Sequence, residues 1–201
     1  MLPRWLTVLG VVALLFGMQG AVSALVGEIV PCFRSHDSFV SAYREELERQ
    51  NHLAPPAADE GAVAKAGDSL GEKAWTRRFI HLPLGAADLV LSAMLFIGAA
   101  RALARSRWGH GAWQFAARLK VPFAIVGAAV RFVEAGDRYA SSLILNGPRS
   151  LEMGLPAETL AHLEVAWARA LDCLIALALV AFYAFCAIAL AKPKVKTLFT
   201  E

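Results

Sequence analysis

The sequence predicts an all-α polytopic membrane protein, a four-transmembrane-helix bundle with an extramembrane helix in its first outer loop. Three observations carry this prediction. Hydrophobic residues fill 57 % of the 201 positions and the mean hydropathy is +0.50, whereas soluble domains hold about half apolar residues even with glycine counted. Four apolar blocks, at residues 5–26, 82–100, 121–139 and 172–191, are long enough to cross ~30 Å of hydrocarbon at ~1.5 Å per residue. Basic residues gather at Arg4, at Arg101, Arg105, Arg107, Arg118 and Lys120, and at Lys192, Lys194 and Lys196. With four spans, all three groups fall on one side.

Inside a bilayer a helix satisfies its own backbone hydrogen bonds, so the spans are helical. The net charge of +3 matters less than its distribution, because Lys and Arg in short loops set orientation. The expected topology is a single membrane domain in a plasma (inner) membrane. Both termini and the 101–120 loop are cytoplasmic, and the 28–79 loop, which mixes nine acids with seven basic residues, is outside. Positive-inside charge accounts for the basic loop, so no nucleic-acid partner is expected.

The first block has a second reading. Arg4, an apolar core and Val22-Ser23-Ala24 also resemble a signal peptide, whose removal would leave three spans. The block is longer than a usual signal-peptide core, which favours retention. Its small residues Ala13, Gly17 and Ala21, like Ala124 and Ala128 or Ala184 and Ala187, recur at the spacing that lets membrane helices approach closely. Trp5, Trp75, Trp108 and Trp113 flank spans as an aromatic belt would.

Beyond the first span, Asp37 reads as the N-cap of a helix whose Phe39, Val40, Tyr43 and Leu47 share one face. Residues 53–71, with Pro55-Pro56 and a run of Ala, Gly and Asp, read as a linker. Asn146-Gly147-Pro148 signals a turn, and Pro156 suits the first turn of a helix that enters the fourth span. Its approach carries an outer polar stripe, His162, Arg169 and Asp172, with His81 at the outer end of the second span.

The candidate site is an intramembrane charge cluster of Asp88, Arg131 and Glu134. Counted from Ala100 and Val121, they lie about 18, 15 and 20 Å deep. Charges there are costly and either dock helices or carry protons or ions. The cytoplasmic halves of the spans hold little polarity beyond Ser92, Tyr183 and Cys186, which favours docking over a through-route. No catalytic, nucleotide-binding or metal-binding motif appears, so neither enzymatic activity nor a metal or cofactor is expected. A haem held by His81 and His162 is disfavoured, since they lie about 29 and 44 Å from Ala191's side on straight helices. The three cysteines make no disulfide framework.

Arg4-Trp5-Leu6 opening the first span, Glu28-Ile29 closing it, Asp88 in the second span and Leu119-Lys120 before the third resemble the YqhA-like family of small four-helix bacterial inner-membrane proteins. The 28–79 loop exceeds that family's pattern. The resemblance implies location and topology rather than activity. The function expected is that of an accessory or oligomeric membrane component whose partners are the lipid bilayer and itself or another membrane protein. The alternatives are a proton or small-ion channel or carrier and a haem-binding redox protein.

Overall fold

The computed structural model describes residues 2–53 and 57–199. Its elements are helices α1 (Arg4–Cys32), α2 (His36–Leu53), α3 (Glu60–Leu103), α4 (Arg107–Asp137), α5 (Tyr139–Met153), α6 (Ala157–Ala191) and the single turn α7 (Pro193–Lys196). Among the described residues there is no strand.

Among the described residues three helices, α1, α3 and α6, are long and apolar enough to cross a membrane. The expected third span lies in α4, which is not among them. Its apolar run is broken by Arg118, Lys120, Arg131 and Glu134, and each charge lowers its fitness for hydrocarbon.

The helices run further than the sequence patterning suggests. The expected 53–71 linker is helical from Glu60 onward, because its alanines favour helix and Gly67 and Gly71 are contact points rather than breaks. An added Cβ at Gly67 would come within 2.6 Å of the Arg44 Cα, and one at Gly71 within 2.9 Å of the Val40 Cα. Pro55-Pro56 lie outside the described residues. The 101–120 loop shrinks to Ala104–Ser106 between α3 and α4. There Ser106 N–H donates to the Arg101 carbonyl at 2.9 Å and Arg105 N–H to that of Ala102 at 2.8 Å, with Arg105 left-handed at φ 63°. This is a Schellman closure with arginine where glycine is usual.

Asn146-Gly147-Pro148 makes no turn. The three lie within α5, since Asn146 is buried and donates to the Glu164 carboxylate at 3.0 Å. The chain turns instead at Gly154, φ 65°. In α2, Ser35 rather than Asp37 caps the helix, its Oγ accepting from the Ser38 N–H at 3.4 Å. Phe39, Val40 and Leu47 are buried as expected, while Tyr43 keeps 40 % exposure with its hydroxyl end covered.

The chain, expected as a single domain, forms two compact units. The first holds the residues before Pro31, His81–Gly127 and those from Ile175 on; the second holds Pro31–Ile80 and Ala128–Leu174. The first unit therefore takes segments of four helices, α1, α3, α4 and α6, around the fully buried Trp113, with Leu6, Ala13, Leu95, Ala116 and Leu190. Trp113, expected at the membrane interface, is instead core, whereas Trp5 and Trp108 are exposed. The second unit has its own core of Leu47, Val63, Ala66 and Leu145.

Within the first unit α1 turns small residues inward and large ones outward. Gly10 faces Leu103, Gly17 the Phe96 backbone, Gly20 Ser92 and, opposite Gly85, Glu28, a register that makes α1 antiparallel to α3. Val8, Val11, Leu15, Met18 and Val22 are exposed. A helix with aliphatic side chains outside and glycines inside is built for lipid rather than water.

Candidate functional site: a buried lysine between three helices

In the first unit the charge at the centre is Lys120, only 4 % exposed. Its ammonium lies 2.6 Å from Asp88 Oδ1, 2.5 Å from Ser92 Oγ and 3.5 Å from the Asp88 carbonyl oxygen. An ammonium has three protons to donate. All three find an acceptor on α3.

The local sequence explains the geometry. Asp88 and Ser92 are four residues apart, so both project from one face of α3. Trp113, Ala116, Ala117 and Lys120 follow the spacing of one helical face, and all are buried, so the apolar stripe of α4 carries its lysine to the same place. Helix α1 closes the third side. An added Cβ at Gly20 would stand 2.5 Å from Ser92 Oγ and 3.5 Å from Lys120 Nζ, so only glycine lets α1 lie over this group. Tyr183 of α6 is buried within electrostatic reach of Asp88.

Counting along the helices shows why these groups meet. From the α3–α4 turn, Asp88 is about 22 Å back along α3 and Lys120 about 20 Å along α4 at ~1.5 Å per residue. A third span that begins at Val121, as expected from the sequence, puts Lys120 at its cytoplasmic end. Since α4 starts at Arg107, the same count carries Arg131 about 36 Å along it, more than a hydrocarbon thickness.

The expected Asp88–Arg131–Glu134 cluster thus resolves into separate pairs. Asp88 joins Lys120 in the first unit. Arg131, in the second, has its Nε 3.5 Å from Asp172 Oδ1, and the charge of Glu134 acts on the Tyr43 hydroxyl, whose pKa is raised chiefly by burial and then by that carboxylate.

The outer polar stripe is divided likewise. In the second unit the His162 ring stacks on Tyr139, centroids 4.6 Å apart, Arg169 lies over the Phe132 ring and Asp172 meets Arg131. Helix α3 contributes a half-buried His81 to the first unit.

The second unit is laced by further ion pairs and charge-assisted hydrogen bonds outside the expected site residues. Arg44 forks onto Asp68 at 2.7 and 2.8 Å, Arg77 pairs with Asp137, and Ser142 and Asn146 both donate to Glu164. His36 sits between two carboxylates, Nδ1 3.0 Å from Asp37 and Nε2 2.9 Å from Glu72. Its pKa is raised, by the Asp37 hydrogen bond first and then by that of Glu72.

No family model, curated protein or solved structure matches the chain. The resemblance to YqhA-like proteins therefore rests on the short stretches quoted above. Among the described residues no group of three or more His, Cys, Asp or Glu is placed to hold a metal ion.

Proposed function

We propose that this chain is a multi-pass membrane protein, with four spans and both termini cytoplasmic, that acts as an accessory component of a membrane assembly through packing rather than chemistry. The Asp88–Ser92–Lys120 group is its helix-docking lock. One observation carries the reading: every ammonium proton of Lys120 is donated to an acceptor on α3, which ties α4 to one position on that helix. Burying this pair costs solvation that only near-complete hydrogen bonding offsets, and its return is a single register for α3, α4 and α1. The outward aliphatic face of α1 suits lipid or an apolar partner helix. Membership of the YqhA-like family would fit the same location and topology.

Native mass spectrometry and cross-linking in mild detergent test this. A complex with a second copy or another membrane protein is expected, and a stable lone monomer under all mild conditions overturns it.

The competing reading, a proton or small-ion channel or carrier, draws on Asp88, whose side chain keeps 30 % exposure while Tyr183 lies within reach of its charge. Proton flux in reconstituted vesicles that is lost in Asp88→Asn would favour it. Flux unchanged by that substitution removes it.

A further inference from the structure

At one end of the first unit positive charge collects without an answering acid. The end of α3 packs on the start of α4 there, where an added Cβ at Gly109 would stand 2.5 Å from the Arg101 Cβ. From α4, His110 Nε2 donates to the Leu190 carbonyl near the end of α6 at 2.9 Å. The chain then folds back through α7. Phe199 is buried against the His110 ring, centroids 4.5 Å apart, and Val195 joins the same core. Burial of those two side chains makes the segment a hook that leaves Lys192, Lys194 and Lys196 exposed, at the end of the unit where Arg101, Arg105 and Arg107 are exposed too.

These six cations are not used inside the protein. Among the described residues none of them meets a carboxylate. The acids described in the first unit lie elsewhere: Asp88 holds Lys120 and Glu28 stands opposite Gly85, both about 20 Å or more back along α3 from Arg101. Arg105 adds a second sign. It keeps a left-handed backbone, φ 63°, that glycine would adopt without steric cost. Its side chain makes no hydrogen bond or ion pair within the described residues in return, so this strained position points to a use outside the chain.

Apolar surface continues from the cations along the same helix faces. Ile97 and Arg101 are four residues apart on α3 and both are exposed. Ile188 of α6, also exposed, precedes Lys192 by the same interval. Next to Arg107, Trp108 is exposed, as is Phe115 two turns further along α4. Cations just past exposed apolar stretches suit the headgroup level of a membrane. A soluble polyanion would meet the charges and leave the apolar neighbours uncovered.

We propose that the arginines around the α3–α4 turn and the lysines of the α7 hook form one surface for the headgroups of anionic phospholipids, with acyl chains along Ile97 and Ile188. The surface rests on the membrane reading above. Clusters of about four to eight basic residues beside a span hold an anionic leaflet, and each such residue is worth roughly fivefold in binding.

The test uses the full chain in detergent, titrated with phosphatidylglycerol or phosphatidylcholine and read by native mass spectrometry. Wild type is expected to retain phosphatidylglycerol in preference. Arg105→Gln keeps the backbone strain and removes the charge, and should lower that retention about fivefold; Lys194→Gln with Lys196→Gln should lower it about 25-fold. Lys65→Gln, at an exposed lysine of the second unit, should leave it unchanged. Phe199→Ala keeps all six charges but frees the hook, and should lower retention about threefold through lost pre-organisation. Equal retention by wild type and the charge-removing variants overturns the surface, as does equal binding of phosphatidylcholine or an equal loss in Lys65→Gln. Displacement by equimolar inorganic phosphate would reveal a soluble-anion site and overturns it too. Unchanged binding by Phe199→Ala means diffuse attraction and overturns the built surface. If alkaline carbonate releases wild type from membranes, the membrane reading itself fails, whereas failure of the variants alone leaves that reading standing.

Discussion

Lys120 Nζ lies 2.6 Å from Asp88 Oδ1, and the two residues stand at nearly equal distances along α4 and α3 from the turn that joins them. The pair fixes the α3–α4 hairpin at one register, because a slip by one residue would strand a charge among Leu95, Ala116 and Trp113.

Removing one partner should therefore cost more than removing both. Lys120→Met is expected to destabilise the protein by about 3 kcal/mol, leaving Asp88 and Ser92 without their donor. Adding Asp88→Leu should restore most of that loss. Thermal unfolding in detergent of the two single variants and the double variant measures the coupling; additive effects would show that the pair does not act as a lock.

Gly17 marks the closest approach of α1 to α3. An added Cβ meets Phe96 N at 2.7 Å and the Ser92 carbonyl oxygen at 2.9 Å, both rigid backbone. Gly17→Ala should cost about 1–3 kcal/mol by overpacking. Gly27, with nothing within 4 Å of an added Cβ, is the control, and Gly27→Ala should stay within about 1 kcal/mol of wild type. The same unfolding measurement compares them.

His36 gives the second unit a pH dependence of defined sign. Its folded-state pKa is raised above 6.5 by Asp37 and then Glu72, so the folded state binds the proton more tightly than the unfolded chain. The resulting stabilisation is complete below about pH 6.5 and is lost as pH rises through the raised value. Hydrogen exchange of the amides at the start of α2 should quicken across that interval. In His36→Gln only the intrinsic, base-catalysed rise of exchange with pH should remain.

Arg105 holds the left-handed position that ends α3, φ 63°, where a side chain costs roughly 1–2 kcal/mol. Arg105→Gly relieves this but loosens the unfolded chain by roughly 0.5–1 kcal/mol. A net gain of about 0.5 kcal/mol is expected, seen as a small rise in Tm. A fall would mean that the arginine side chain contributes contacts beyond the turn.

Much of the fold was legible where the signal is local. The apolar lengths of α1, α3 and α6 and the buried face of α2, at Phe39, Val40 and Leu47, follow from composition and period. Turn signals did worse. Asn146 and Gly147 were absorbed into α5 because Glu164 offers the asparagine a buried partner, and a tertiary hydrogen bond outweighs local turn preference. The candidate site was half legible. Asp88 stood out as a charge in an apolar block, but Lys120 was hidden among Arg101, Arg107 and Arg118, where a basic residue has an ordinary explanation in topology. Its spacing from Trp113 and Ala116 was the only cue, and that cue has meaning only once α4 is known to begin at Arg107.

By itself the sequence determined a helical chain with segments suited to lipid, since hydrocarbon admits only long apolar stretches whose backbone is satisfied within the helix. It also determined which residues are ionisable in those stretches. The tertiary structure decided which of them meet. Pairing depends on where each helix starts and how closely neighbours approach, and both are set at a distance, by Gly17 and Gly20 against Ser92 and Phe96 and by the three-residue turn before Arg107. Composition is additive along the chain, but the register of packed helices is a property of their contacts. For that reason Asp88 found Lys120 and Arg131 found Asp172.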